Sequence, residues 1–357
     1  MKILYVSHCY ESWSGWATAA KNLMLAMDSV GIDLVSRSIK LNNPHTELSD
    51  RLIELEQRSS KGCDVVIQHI LPHMMEFHGG FKKNIGYYVT ETRGLKHTSW
   101  PSHLNFMDEL WCPNEDMIAE SLNNGINVEH KLVPHAFDIT KYEKLYPQFN
   151  LPYGFKFYFI GEFVQRKNIA AIIKAFHLEF GKHEPVQLIL KLNKMGVPPN
   201  VLFGEMKNFC NKIREGMKLK DCKEEILICD SLTTDGIMSL HNSCDCYVSA
   251  SRGEAWELSL FESMACGNKV ISTCMGGPKD YLKDYRYGML IPGRWENCFG
   301  MDTIEGLGSS REEWYDIDIG HLRTAMRGMY VSQTDKGKQR MEGLERAENY
   351  SYEKVGN

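Results

Sequence analysis

The stretch Ser251–Ser272, SRGEAWELSLFESMACGNKVIS, decides how this chain is read. It sets two carboxylates, Glu254 and Glu262, with seven residues between them. An apolar run, CDCYVSAS, precedes them, and a second, NKVIS, follows. The pattern predicts a strand, a loop, a helix and a second strand, with both acids near the mouth of the unit. Ser259 and Glu262 fit a capping box, S-x-x-E, which would only start the helix. The alternative is that both acids face one ligand. Carboxylates accept paired hydrogen bonds from vicinal hydroxyls, as on a ribose or a hexose.

Outward from this stretch, strand-length apolar runs alternate with helix-length amphipathic segments. KILYVS (2–7), DLVSRSI, DVVIQHI, NIGYYVT, DELWCPN and HKLVPHAFD (130–138) mark the first half, with a helix over 15–27. FKFYFIGE (155–162), VQLILKLN, EILICDS, CDCYVSAS and NKVIST mark the second, with helices between them. Several runs are apolar at consecutive positions, which fits strands buried on both faces of a parallel sheet. The fold class expected is α/β, with two doubly wound Rossmann-like domains facing across a cleft. KLYPQFNLPYGF (144–155) carries two prolines and reads as the linker. The expected division is 1–147, 148–330 and a C-terminal tail, 331–357, packing back on the first domain. Residues 294–314 are polar and Gly-rich and read as a loop.

The chain has 357 residues and a formal net charge of −5, which advertises no basic groove for nucleic acid. Its eleven cysteines are scattered, without a CxxC pair, and point to a reducing compartment, the cytoplasm. No apolar run reaches the ~18 residues of a membrane span. His69, His73 and His78 have a suggestive spacing, but Pro72 breaks any helix there, and they read as ordinary histidines rather than metal ligands.

Open α/β sheets bind ligands where strands end and helices begin. Gly15 opens a helix after the first strand, where backbone N–H groups favour an anion; Ser14 as a plain N-cap is the simpler reading. Arg166 and Lys167 stand just before a helix N-terminus and so oppose its dipole, which an anionic ligand such as a diphosphate explains better than helix stability. Solvated surface cations are the ordinary alternative. Gly276 and Gly277 follow a strand and suggest a turn with exposed N–H groups. Trp13, Trp16, Trp100 and Trp256 offer flat faces for a sugar or base, or simple packing.

GEFVQRKN, GEAWELSLFESMACGNKVIS, GGPKDYL and YGMLIPG resemble, in order and spacing, the retaining glycosyltransferases of family 4, with the GT-B fold and an E-x7-E motif. PHAFD (134–138) and NIGYYVTET…MDELWCPNEDM resemble first-domain segments of that family. The resemblance implies a nucleoside diphosphate sugar as donor, no cofactor and no metal. It implies Glu262 on the nucleotide ribose, Glu254 on the transferred sugar's hydroxyls or at the reacting face, Arg166 and Lys167 on the diphosphate, and Gly15 in a first-domain loop that closes on it. The family's E-G-F-G-L reads here as Glu254–Ala255–Trp256–Glu257–Leu258, a segment whose N–H groups meet the donor sugar. Two glycines are lost, and Glu162 stands where the family often has Arg. Thr90 and Glu91 occupy a region where some members carry a sugar-contacting histidine. His135 has two readings, an interdomain corner or a substrate contact. Activity is expected to be sugar transfer to an acceptor the sequence does not name: a glycan, a lipid-linked glycan, a small molecule or a modified nucleobase. A nucleotide-sugar epimerase and a non-catalytic nucleotide-sugar-binding protein remain as alternatives.

Overall fold

The computed structural model describes residues 1–10, 14–40, 48–219, 221–299, 310–332 and 334–357. The chain divides into two compact units. Unit 1 is Met1–Ile139 with Ala347–Asn357, and unit 2 is Thr140–Arg346. The crossing therefore comes before the 144–155 stretch, which belongs to unit 2. There the Phe149 N–H donates to Ser243 Oγ at 2.6 Å.

Unit 1 is built on six parallel strands: β1 (Lys2–Ser7), β2 (Asp33–Ser38), β3 (Val65–His69), β4 (Lys83–Tyr87), β5 (Glu109–Cys112) and β6 (Glu129–Leu132). Their order is β2-β1-β3-β4-β5-β6. The chain leaves β1 toward one edge and returns past it, so the direction of winding reverses between β1 and β3. Helices α1 (Gly15–Ser29), α2 (Asp50–Gln57), α3 (Trp100–Leu104) and α4 (Glu115–Asn123) cover the sheet. Central β3, VVIQH, is buried at every position, whereas the edge strand β6, EHKL, is largely exposed and charged. Apolar runs go to the middle and charges blunt the edge. Ile3, Leu23, Met24, Leu34, Leu52 and Ile67 form the core.

Unit 2 begins with α5 (Thr140–Glu143) and repeats the architecture with β7 (Phe155–Glu162), β8 (Val186–Asn193), β9 (Ile226–Ile228), β10 (Cys246–Val248), β11 (Lys269–Thr273) and β12 (Gly288–Ile291). All six are parallel, in the order β12-β11-β10-β7-β8-β9. This is the strand order of a dinucleotide-binding sheet, with the reversal between β7 and β10. Its helices are α6 (Ile169–Glu179), α7 (Pro199–Gly216), α8 (Thr234–Ser243), α9 (Leu258–Ala265), α10 (Gly277–Tyr281) and α11 (Ile319–Val331).

One sequence expectation is corrected here. The polar stretch 294–314 is not all loop: β13 (Gly293–Asn297) and β14 (Glu313–Ile317) pair antiparallel. Residues 300–309 lie outside the described residues. The charged tail is helical, with α12 (Lys336–Glu348) and α13 (Tyr352–Gly356). In unit 1, α13 packs on α1, where Tyr352 Oη donates to Asn22 Oδ1 at 2.9 Å. A Cβ on Gly356 would lie 2.4 Å from the Ala26 carbonyl oxygen, so this contact needs glycine.

Candidate functional site

β7 and β10 are neighbours and run parallel, so the loops that follow them leave the sheet side by side. The first loop makes a 3-10 turn over Gln165–Lys167 and ends at Asn168, whose φ of 50° is left-handed. The second runs from Ser249 to Glu257, whose φ of 65° is also left-handed. Side chains rarely adopt that backbone, least of all ones larger than Asn. Of the four described non-glycine residues at positive φ, two flank this one switch point. Backbone strain concentrates where function over-determines the geometry.

The loops are tied together. The Arg252 N–H donates to the Arg166 carbonyl at 2.8 Å, and Arg252 Nη1 to the Gln165 carbonyl at 3.0 Å. Arg252 Nε donates to Asp316 Oδ1 at 2.6 Å, which Asn168 Nδ2 also reaches at 3.3 Å. The hairpin that sequence reading took for loop thus braces both loops.

At the centre lies Glu254. Its Oε1 accepts from Arg166 Nη1 at 2.7 Å, from Ser251 Oγ at 2.6 Å and from Lys167 Nζ. Arg166 Nη1 also donates to the Gly253 carbonyl, at 2.5 Å. Burial by itself would raise the Glu254 carboxyl, but Lys167 and Arg166 outweigh it and hold it below the ordinary range. The two cations are thus organised by a buried acid, and neither is a freely solvated surface charge. Two positive charges against one negative leave an excess of +1 on the trio.

Glu257 sits three residues on, buried, with Ser272 Oγ donating to its Oε2 at 3.3 Å. Its Oε1 has no hydrogen-bond partner among the described residues. Burial, with the Glu254 charge adding to it, pushes this carboxyl up to about 7 against the opposing effect of Lys167. It is therefore largely neutral in slightly acid solution.

The second acid of the motif lies elsewhere in unit 2. Helix α9 starts at Leu258 with Glu257 at the N-cap position, so Ser259 is inside the helix and the expected capping box does not form. Glu262 instead accepts from Lys141 Nζ at 2.7 Å and faces His241 Nε2 at 3.8 Å. Burial opposes its ionisation, yet Lys141 and His241 bring it down to about 2. Behind it, Tyr158 Oη bonds to His241 Nδ1 at 2.7 Å and Ser263 Oγ at 2.8 Å, and accepts from Asn268 Nδ2 at 2.8 Å.

Other expectations meet the structure as follows. Trp256 is buried against Tyr281 and Phe261, with ring centroids 5.2 and 5.9 Å away, so its indole packs in the interior rather than offering an open face. Trp100 is buried likewise. Leu258 is half-buried at the start of α9. The Gly277 N–H is not free: it donates to the Ala255 carbonyl at 2.9 Å. Gly276 serves close approach, because a Cβ there would lie 2.0 Å from the Glu254 carbonyl oxygen. Glu162 Oε1 accepts from the Met195 N–H at 3.2 Å.

In unit 1, Gly15 is exposed at the first position of α1, and Ser14 Oγ accepts from the Ala17 N–H as a true N-cap. Trp13 lies outside the described residues. The Thr90 hydroxyl is spent in a local turn with Thr92, and Glu91 is half-buried. His135 is buried beside Tyr87, and burial drives its imidazole down to about 3. Sequence reasoning missed Lys141, His241, Ser251, Arg252 and Asp316. Lys141 lies 121 positions from its partner, and no local pattern joins them.

Residues 148–298 match the model of the family described as Glycosyl transferases group 1. Solved structures similar to the chain include sucrose-phosphate synthase from Thermosynechococcus elongatus, 16% identical, with a TM-score of 0.65 over 100% of this chain and 96% of that one. HepE of Anabaena, in complex with UDP and glucose, is 14% identical, with a TM-score of 0.64 over 100% and 97%. OtsA in its apo form is 10% identical, with a TM-score of 0.68 over 100% and 97%. No curated protein sequence matches the chain. At such identities the likeness is one of fold: α/β, two Rossmann-like sheets, as in GT-B glycosyltransferase structures. No described helix is long and apolar enough to cross a membrane.

Proposed function

We propose that the chain is a retaining, metal-independent glycosyltransferase of family 4 type that uses a nucleoside diphosphate sugar. The observation that carries this reading is the Arg166–Lys167–Glu254 trio at the β7/β10 switch point, with its excess positive charge. Dinucleotides and sugar nucleotides bind at such points of open α/β sheets. The match of residues 148–298 to group 1 glycosyl transferases supports the same assignment. HepE is described with UDP and with UDP-glucose, so these are the first ligands to test.

In this reading Arg166 and Lys167 bind the diphosphate, and Glu262 takes the ribose hydroxyls. The Glu254–Leu258 segment orients the transferred sugar. As the bond from the sugar C1 to the diphosphate oxygen breaks, negative charge grows on the leaving phosphate, where the two cations stabilise it. The acceptor oxygen bonds to C1 on the same face, and its proton passes to the departing phosphate oxygen. No protein nucleophile is required, and the chain's contribution is positioning and charge stabilisation. Cations fixed by a buried acid do the work that a divalent metal does in other transferases, so no metal and no cofactor is called upon. The eleven free thiols suit a reducing compartment, the cytoplasm.

Calorimetric titration of UDP, followed by UDP-glucose turnover with and without excess EDTA, tests the reading. We expect binding, and release of UDP that EDTA leaves unchanged within twofold. Loss of turnover in EDTA that Mg²⁺ or Mn²⁺ restores would end the metal-free mechanism. The two lost glycines at Ala255 and Glu257 favour one other reading, a non-catalytic binder. Tight UDP binding with no turnover of any nucleotide sugar selects it.

A further inference from the structure

One edge of the unit 1 sheet carries a sequence that is complementary to itself. β6 is the end strand, and no described strand pairs with its outer side. The Val133 N–H donates to the Cys112 carbonyl of β5 at 2.9 Å. Successive residues of a strand turn their backbone groups to opposite sides, so Glu129 and Lys131 also face β5. His130 and Leu132 therefore present their N–H and C=O groups outward, on a strand whose Glu129, Lys131 and Leu132 are exposed. Such an edge is a template for a further strand.

The side chains decide which strand fits. From 128 to 132 the order is apolar, acid, imidazole, base, apolar: Val128, Glu129, His130, Lys131, Leu132. An antiparallel copy related by a two-fold axis through His130 sets Val128 opposite Leu132 and Glu129 opposite Lys131, on both sides of the axis. The two outward-facing His130 residues form the central hydrogen-bonded pair. Glu129 and Lys131 then fall at non-hydrogen-bonded positions, where Cα atoms approach to about 4.5 Å and cross-strand charges act most strongly. The nearest slips move the axis to Glu129 or Lys131, which sets like charges directly opposite and destabilises the pair.

Charge on an edge strand ordinarily turns further strands away. Here the sign alternates, so the pattern repels strands of other sequence and admits its own antiparallel copy. Lys131 Nζ meets Glu129 Oε1 of the same chain at 2.6 Å, with the side chains 52% and 59% exposed, so this solvated pair can be exchanged across the axis at little cost. Apolar surface lies beside the start of β6. Phe106 and Leu122 are 69% and 53% exposed there. Asn105 Nδ2 donates to the Gly125 carbonyl at 3.0 Å, and the Gly125 N–H to the Leu122 carbonyl at 3.1 Å, which places both near the strand's first residues. Leu132, 46% exposed, ends the strand, and antiparallel pairing carries it to this apolar end of the other copy.

We propose that the β6 edge is a homodimer interface: a second copy of this chain pairs antiparallel with β6 about His130 and joins two six-stranded sheets into one. The strand carboxyl ends of the two copies then point in opposite directions, so the switch-point loops of one unit 1 sheet lie away from those of the other.

Sedimentation equilibrium of the full chain tests this. At about 100 µM the mass should be twice the 41.0 kDa of one chain. Lys131→Glu and Glu129→Lys each set like charges across the axis, and each should weaken the dimer tenfold or more. Mixed in equal amounts, the two variants should dimerise again, because an all-acidic edge then meets an all-basic one. Exchanging both residues, Glu129→Lys with Lys131→Glu, should restore the dimer within one sequence. This rescue separates loss of pairing from loss of folding. In the unaltered chain the His130 and Leu132 amides should exchange hydrogen at least tenfold more slowly at about 100 µM than at about 1 µM. A chain that is monomeric at the higher concentration overturns the proposal and leaves the edge to solvent or to a strand of another protein. A dimer that both reversals leave intact, or that neither the mixture nor the exchange recovers, lies on another surface and overturns it too.

Discussion

The two units place opposite chemistry at the same topological position. In unit 2 the switch point holds Arg166 and Lys167, both bonded to Glu254, with Glu257 buried three residues on. In unit 1 it holds His8, His69 and His135 among Tyr5, Trp16 and Tyr87. One is ionic and internally paired; the other is made of imidazoles and aromatic rings. A parallel sheet fixes where a ligand can sit, and the residue types at its strand ends decide which ligand that is.

The difference has a thermodynamic signature of opposite sign in the two units. In unit 1, the folded-state value of His135 is depressed to about 3 from an ordinary 6.5. Its contribution is present above pH 6.5 and is lost as the pH falls toward 3, because the unfolded chain takes up the proton first. The size is on the order of 5 kcal/mol. His135→Gln should flatten this limb in denaturant melts between pH 7 and 4. An unaltered slope would mean that His135 is solvated in the native state. In unit 2, Glu257 is raised to about 7 from 4.5. Its contribution is present below pH 4.5 and is lost as the pH rises through 7, by about 3 kcal/mol. Glu257→Gln should therefore be more stable than the parent at pH 8 and no more stable at pH 4. Equal stability at pH 8 would show that Glu257 is hydrated.

Glu262 sharpens the contrast, since it is a largely buried acid of unit 2 whose partners, Lys141 and His241, lie outside the switch-point loops. Its folded-state value of about 2 means that its stabilisation is present above pH 4.5 and is lost as the pH falls toward 2. Its side chain is 17% exposed, so we discount the shift and expect Glu262→Gln to cost about 2 kcal/mol at pH 7. In the proposed role the same variant should bind UDP at least threefold more weakly by calorimetry while still folded. Unchanged UDP affinity would make Glu262 a structural anchor for Lys141 and nothing more.

Much of this was legible in the sequence, for physical reasons. Strands buried on both faces announce themselves as continuous apolar runs, and β3, β7, β8 and β11 were found that way. Short polar elements carry no such signal: β13 and β14 read as loop because a half-exposed hairpin rich in Glu, Arg and Asn looks like solvent-facing chain. The acids and cations of the switch point were visible as a pattern, but their pairing was not. Arg166 and Lys167 meet Glu254 across 87 or more positions of chain, and only the β7–β10 pairing brings them together. The capping box at Ser259 and Glu262 failed because the helix begins two residues earlier than the motif requires, directly after the left-handed Glu257. For Trp256 the sequence leaves two readings, ligand face or packing, because an aromatic beside a motif looks the same in either case; the structure buries its indole.

The smallest effect separates the two cations themselves. Arg166 and Lys167 both bond to Glu254 Oε1, so removing either leaves the acid still paired, and folding should change little. Their proposed work lies in the transition state, where charge on the leaving diphosphate is greatest. Arg166→Ala and Lys167→Ala should each slow turnover of a saturating nucleotide sugar by a factor of 10 or more, about 1.4 kcal/mol. Arg166 also holds the Gly253 carbonyl, so its loss should raise KM as well, by loosening the loop that carries Glu254. Lys167 Nζ bonds to the Glu254 carboxylate, and its loss should fall mainly on kcat. Wild-type kcat in both variants would place the diphosphate away from the β7/β10 switch point. It would also leave the charged cluster of unit 2 as a brace for its loops, no closer to chemistry than the histidines of unit 1.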